Sequence, residues 1–170
     1  MKKLIIILFT FLSLAGMANV RTDVVNNYTS YIGVREATGQ NDGREVAMFL
    51  QSVGMEPGYA WCAAFVNHCL EKAGVKTVKS AWSPSWFPEG KVIWSAQVRK
   101  MIPQPGDVFG IYFAKKKRIA HVGLIHQWTN GSGCVTVEGN TNLEGSREGD
   151  GVYKKWRLKA QIHSISNWID

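Results

Sequence analysis

Gly58-Tyr59-Ala60-Trp61-Cys62-Ala63-Ala64-Phe65-Val66-Asn67 reads as a helix that opens at a cysteine. From Cys62 onward the apolar residues are Cys62, Phe65, Val66, Cys69, Leu70 and Ala73. This is the spacing of a helix with one buried face. Asn67, His68, Glu71 and Lys72 fall on the opposite side, and Gly74 supplies a stop. None of Tyr59, Ala60 and Trp61 is a good side-chain N-cap, so the first-turn N–H groups are expected to be open to another partner. A thiol at the positive end of a helix has a lowered pKa, and the same N–H groups can hold an oxyanion. A structural core cysteine would sit on the same stripe. The choice between nucleophile and core therefore rests on the rest of the chain.

Upstream, Thr22-Asp23 predicts the start of a first helix carrying Val24, Val25, Tyr28, Tyr31 and Ile32, ended by Gly33. Asp42 followed by Glu45 has capping-box spacing, with Asp42 as the cap of a second helix buried through Val46, Phe49, Leu50 and Val53. Asn41-Asp42-Gly43 lacks the alternating oxygen ligands of a calcium loop, and no metal or cofactor is expected. Downstream, residues 80–88 hold Trp82, Pro84, Trp86, Phe87 and Pro88, too proline-broken for a regular helix. Such rings suit either a groove wall for sugar or peptide or the cover of a core edge. Trp61, Trp82 and Trp86 are the candidate substrate-binding aromatics. Residues 92–101 read as a short helix with Trp94 and Val98 inward.

From Pro105-Gly106 the pattern turns to strands, at 108–113, 121–128, 133–137, 151–158 and 162–168. Helices come first and strands follow, which predicts an α+β fold with N-terminal helices packed on a C-terminal antiparallel sheet. No repeat, linker or low-complexity segment divides the chain. Asn130-Gly131 is a strong hairpin signal. A two-residue turn there sets Thr129 opposite Ser132, Gly123 opposite Glu138 and His121 opposite Asn140. Alternation then puts His121, Glu138 and Asn140 on one face, with His126 on the other. A one-residue bulge would flip that parity. A histidine beside a carboxylate and an amide is the base-and-orienter arrangement that a cysteine nucleophile uses.

Met1-Lys2-Lys3, an apolar run over residues 4–14 and Ala15-Gly16-Met17-Ala18 have the form of a secretory signal peptide, with cleavage expected after Ala18. The run is shorter than the ~20 residues a spanning helix needs. Residues 19–170 are then expected as one secreted or periplasmic domain, monomeric and without a stable membrane anchor. Removing Lys2 and Lys3 takes two from the formal charge of +7 and leaves +5. A basic surface of that kind suits an anionic cell-wall polymer or membrane surface better than nucleic acid in that compartment, or for most of these lysines is simply a soluble surface. Lys115-Lys116-Lys117-Arg118 reads as a solvated loop between strands. Three cysteines leave at least one thiol free, and a Cys69–Cys134 bridge is possible but not required.

Trp61-Cys62-Ala63-Ala64-Phe65-Val66-Asn67, Pro105-Gly106-Asp107-Val108, His121-Val122-Gly123 and Glu138-Gly139-Asn140-Thr141-Asn142 together resemble the CHAP family of cysteine, histidine-dependent amidohydrolases and peptidases. The resemblance runs in order from about Tyr31 to the C-terminus. It implies a papain-like fold, Cys62 as nucleophile, His121 as general base and acid, Glu138 as the third polar group and Asn140 as a second orienter. Many members place a glutamine shortly before the cysteine as oxyanion donor. Here Tyr59, Ala60 and Trp61 occupy that segment, leaving the Tyr59 hydroxyl or backbone N–H groups alone for the role. The implied activity is cleavage of a peptidoglycan amide, as a stem-peptide endopeptidase or an N-acetylmuramoyl-L-alanine amidase, through a thioester. Two alternatives stand beside it. One is a Cys–His acyltransferase or transpeptidase on the same fold; the other is a non-catalytic wall-binding module using Trp82, Trp86 and the basic surface.

Overall fold

The computed structural model describes residues 20–143 and 149–169. The leader expected at residues 1–18 lies outside them. Three helices precede a six-stranded sheet: α1 over residues 20–30, α2 Arg44–Gln51 and α3 Cys62–Lys72, then β1 Val92–Ser95, β2 Val108–Phe113, β3 Arg118–Trp128, β4 Gly133–Thr141, β5 Gly151–Leu158 and β6 Ser164–Ser166. The strand order is β1-β6-β2-β3-β4-β5, and every neighbouring pair is antiparallel. Among the described residues no helix is long and apolar enough to cross a membrane.

The core lies between the helices and one face of the sheet. Val24 and Tyr28 of α1, Val46, Phe49 and Leu50 of α2, and Phe65, Val66, Cys69 and Leu70 of α3 pack with Val108, Val122, Leu124 and Val137 from the strands. Each large apolar side chain so buried contributes about 1.5–3 kcal/mol relative to exposure. α3 is enclosed over a wider arc than its stripe predicts. Asn67, expected on the solvent side, is fully buried. Its amide donates to Ser52 O, Ser52 Oγ and Glu71 Oε2, and its Oδ1 accepts from Thr77 Oγ1, so the buried polar group is satisfied. Gly74 (φ 80) ends the helix in the left-handed conformation that glycine adopts without strain. Gly139 of β4 lets the sheet touch α3: a Cβ there would lie 2.6 Å from the Trp61 ring and 2.9 Å from Phe65.

Several local expectations are corrected. α1 is already helical at residue 20, ahead of Thr22-Asp23, where Arg21 anchors it to Pro105 O and to the Asp107 carboxylate. Asp42 does not cap α2. It turns back to accept from the Thr38 N–H and hydroxyl, and Gly43 takes the cap position without a side-chain bond. The helix expected at 92–101 is the edge strand β1, because Val92, Trp94 and Ser95 find a distant partner in β6. The last strand, expected over 162–168, is only the three residues of β6. The β3–β4 turn is not a two-residue turn either: Trp128 pairs with Cys134, one residue out of the expected register. A shift between Ile125 and Gln127 cancels the error, so Leu124 lies opposite Val137 as a two-residue turn would require.

Candidate active site

Cys62 is the first residue of α3, and the cap residue Trp61 makes no side-chain cap bond. The side chain is almost buried, 5 % exposed, on the floor of a cleft of about 330 Å³ that is also lined by Tyr59, Trp82, Ser83 and Arg118. Ser83 Oγ stands 3.8 Å from Cys62 Sγ. Ser83 opens a single 3-10 turn, Ser83–Trp86, with Pro84 inside its first turn. Its approach to the thiol is set by packing, and nothing in the local sequence announces it.

From the sheet, β3 supplies His121 and β4 supplies Glu138. His121 Nε2 lies 2.8 Å from Glu138 Oε2, and both residues are buried. The carboxylate is held from three further donors: Arg157 Nε to Oε1 at 2.5 Å, Arg157 Nη2 to Oε2 at 2.6 Å and Thr136 Oγ1 to Oε1 at 2.5 Å. Burial opposes its charge, but the bonds to Arg157 and His121 outweigh that and hold the Glu138 carboxyl well below the usual carboxylate range. An ionised Glu138 only accepts, so the proton of this bond sits on Nε2 of His121. Nδ1 is left as the basic nitrogen. It is buried and meets no hydrogen-bond partner among the described residues.

The thiol and the ring act on each other. Burial alone pushes Cys62 up; attraction to His121 outweighs it, aided by the Val122 backbone and Ser83, and the thiol ends below its ordinary value. Burial likewise pushes His121 down, but Cys62 and Glu138 together raise it to about 9. Opposite shifts on neighbouring groups favour a thiolate–imidazolium pair. Cys69 and Cys134 are free, and burial raises both thiols, Cys134 to about 11. They are inert core thiols rather than a bridge.

The structure thus sets Cys62 beside His121 and His121 on Glu138. Tyr59 and Trp82 lie along the cleft that Cys62 lines, both more than half exposed. Three other candidates stand elsewhere. Asn140 does not orient His121. The β4–β5 register shifts between Glu138 and Thr141, and Asn140 adopts φ 54, which turns its side chain out of the predicted alternation. Its Oδ1 accepts from Trp61 N–H, and its amide donates to Asn41 Oδ1, Gly149 O and Glu36 Oε1. Trp61 is fully buried, stacked on Phe49 with Nε1 donating to Glu36 Oε1, and offers no ring to a ligand. Trp86 is also fully buried, with Nε1 on Ser80 O and its ring against Trp168; it covers the core edge rather than a groove. Arg157 went unread in the sequence. Its signal is an inverted strand, because in β5 Trp156 faces solvent while Arg157 faces in.

Helices on an antiparallel sheet, with a helix-tip cysteine against a sheet-borne histidine, define a papain-like fold of the Cys–His type. The chain belongs to the CHAP family: the model of the CHAP domain matches residues 54–140, just over half of the sequence, a span that contains Cys62, His121 and Glu138 and stops short of Arg157. Among solved structures, the P60 domain of a Mycobacterium avium paratuberculosis antigen is 13% identical over 92% of this chain and 98% of that chain, with a TM-score of 0.54. The resuscitation promoting factor interacting protein RipA is 18% identical over 91% of this chain and 64% of that chain, TM-score 0.53. A hypothetical invasion protein of Mycobacterium tuberculosis has the same identity and coverage, with a TM-score of 0.50. At these identities the likeness is one of fold. No curated protein sequence matches the chain.

Proposed function

We propose that this protein is an exported peptidoglycan hydrolase that opens an amide bond, within the stem peptide or between it and muramic acid, through a thioester on Cys62. The observation that carries the reading is the line Cys62–His121–Glu138 at the tip of α3, with Cys62 lowered and His121 raised toward the ionised pair. The Cys62 thiolate attacks the amide carbonyl carbon, and the oxyanion is met by first-turn N–H groups of the uncapped helix, with the Tyr59 hydroxyl as a candidate second donor. Imidazolium His121 gives its Nδ1 proton to the departing nitrogen as the C–N bond breaks, leaving a thioester and a free amine. Neutral His121 then takes a proton from water, whose oxygen attacks the thioester. The carboxylic acid leaves and the thiolate–imidazolium pair is restored. Glu138 holds Nε2–H throughout and stabilises each imidazolium.

The signal-type leader supports export to a secreted or periplasmic location, and the basic charge supports an anionic wall as partner. Digesting defined peptidoglycan fragments and weighing the products tests the reading. One water gained at one amide position is expected, and that position identifies the bond. Products carrying an added amine or alcohol would assign acyl transfer instead. Binding that survives iodoacetamide and releases nothing would assign a wall-binding module.

A further inference from the structure

The basic run Lys115-Lys116-Lys117-Arg118 forms the turn between β2 and β3, and its last residue departs from the other three. Lys115, Lys116 and Lys117 are exposed. Arg118 opens β3, three residues before His121, is half-buried and lines the cleft that holds Cys62. Its guanidinium lies 4.0 Å from the centre of the Trp82 ring, and Nη1 donates to Ile119 O at 3.0 Å. Trp82 is 53 % exposed, so the stack is a platform at the cleft rather than a core contact. A long side chain is thereby held in one place before any ligand arrives, which lowers the ordering penalty on binding.

Two features mark this as a receptor. No residue lining the cleft is acidic, and among the described residues no carboxylate pairs with Arg118. A guanidinium carries five N–H donors in a fork, and Ile119 O engages one of its nitrogens. The ionised Cys62–His121 pair is neutral as a unit, so Arg118 sets the sign of the cleft and the three exposed lysines extend that field outward.

We propose that Arg118, held on Trp82, is an anion subsite that reads a free carboxylate on the peptide supplying the acyl group, close to the scissile amide. The substrate class is a peptide with a carboxylate beside the cleaved bond that is not used in chain linkage. The planar fork matches a carboxylate bidentately, which a lysine at this position would not. The inference rests on the hydrolase reading given above.

A defined stem peptide and the same peptide with its carboxylates converted to carboxamides form the test, with products identified by mass. Wild-type protein is expected to cleave the carboxylate form with a kcat/KM roughly tenfold or more above the carboxamide form. Arg118→Gln removes most of that preference by lowering kcat/KM on the carboxylate peptide, and Arg118→Lys restores it only in part. Equal wild-type rates on the two peptides overturn the subsite and leave the hydrolase standing, as does an undiminished preference in Arg118→Gln. Cleavage of neither peptide by wild-type protein overturns both readings.

Discussion

Arg157 grips both oxygens of Glu138, and Glu138 in turn holds His121, so three charged groups run across the neighbouring strands β5, β4 and β3. Arg157 is paired in register with Cys134, so the guanidinium reaches along the strand to meet the carboxylate. Fork-on-carboxylate geometry leaves Glu138 no freedom to turn from the ring.

Arg157→Ala removes one partner of a buried ion pair, a change worth about 3–5 kcal/mol of stability. In the wild type the Glu138 carboxyl is lowered, so its stabilisation is complete above the ordinary carboxylate range and is withdrawn only as pH falls toward the lowered value. Without Arg157 that carboxyl titrates higher, and acid unfolding begins at a higher pH. Urea denaturation across the acid range measures both effects, and Arg157→Lys is expected to recover part of each.

Activity is expected to follow a bell in pH. On the acid side it rises as Cys62 loses its proton, below the ordinary thiol value. On the alkaline side it falls as His121 loses the proton it must give the leaving amine, near pH 9. The alkylation rate of Cys62 by iodoacetamide reports the acid limb directly. In His121→Ala that limb moves to higher pH, because burial then acts on the thiol without the imidazole that outweighed it, while Cys69 and Cys134 stay unlabelled in both folded proteins.

Asn140→Ala is expected to lower melting temperature and kcat while leaving both limbs of the pH profile in place. Its bonds go to the backbone ahead of Cys62 and to the loop around Asn41, not to the ring. Losing a buried, fully bonded amide costs about 1–3 kcal/mol. A profile displaced by this substitution would return Asn140 to the role of ring orienter.

The tryptophan that precedes the 3-10 turn and the one that ends it separate packing from binding. Trp86→Ala empties a fully buried site and is expected to destabilise by about 3–5 kcal/mol. Trp82→Ala removes an exposed ring, leaves melting nearly unchanged and raises KM, because the cleft wall and the platform under Arg118 are lost together.

Local periodicity made α3 and the order of helices before strands legible, since each depends on residues near in sequence. Distance defeated the reading of β1: Val92–Ser95 becomes a strand through β6, about seventy residues away, and no local pattern marks that partner. The register of His121 and Glu138 came out on one face because two irregularities in the β3–β4 hairpin offset each other. For Asn140 nothing offset the bulge, and its side chain turned to Trp61. Aromatic content could not separate Trp82 from Trp86, four residues apart, since the turn that exposes one and buries the other is set by packing on Trp168 and Ser80. Arg157 was legible only in hindsight, as a charge on the inner side of a strand whose outer side carries Trp156.

Release of new amino groups from purified peptidoglycan, compared between wild type and Cys62→Ala, decides whether the Cys62 thiol is the nucleophile. Both proteins should melt within a few degrees of each other, since the substitution removes a single sulfur atom from the floor of a cleft. The wild type is expected to release amines steadily, and Cys62→Ala slower by roughly 10³-fold or more. Equal release by the two proteins would rule out Cys62 as the nucleophile.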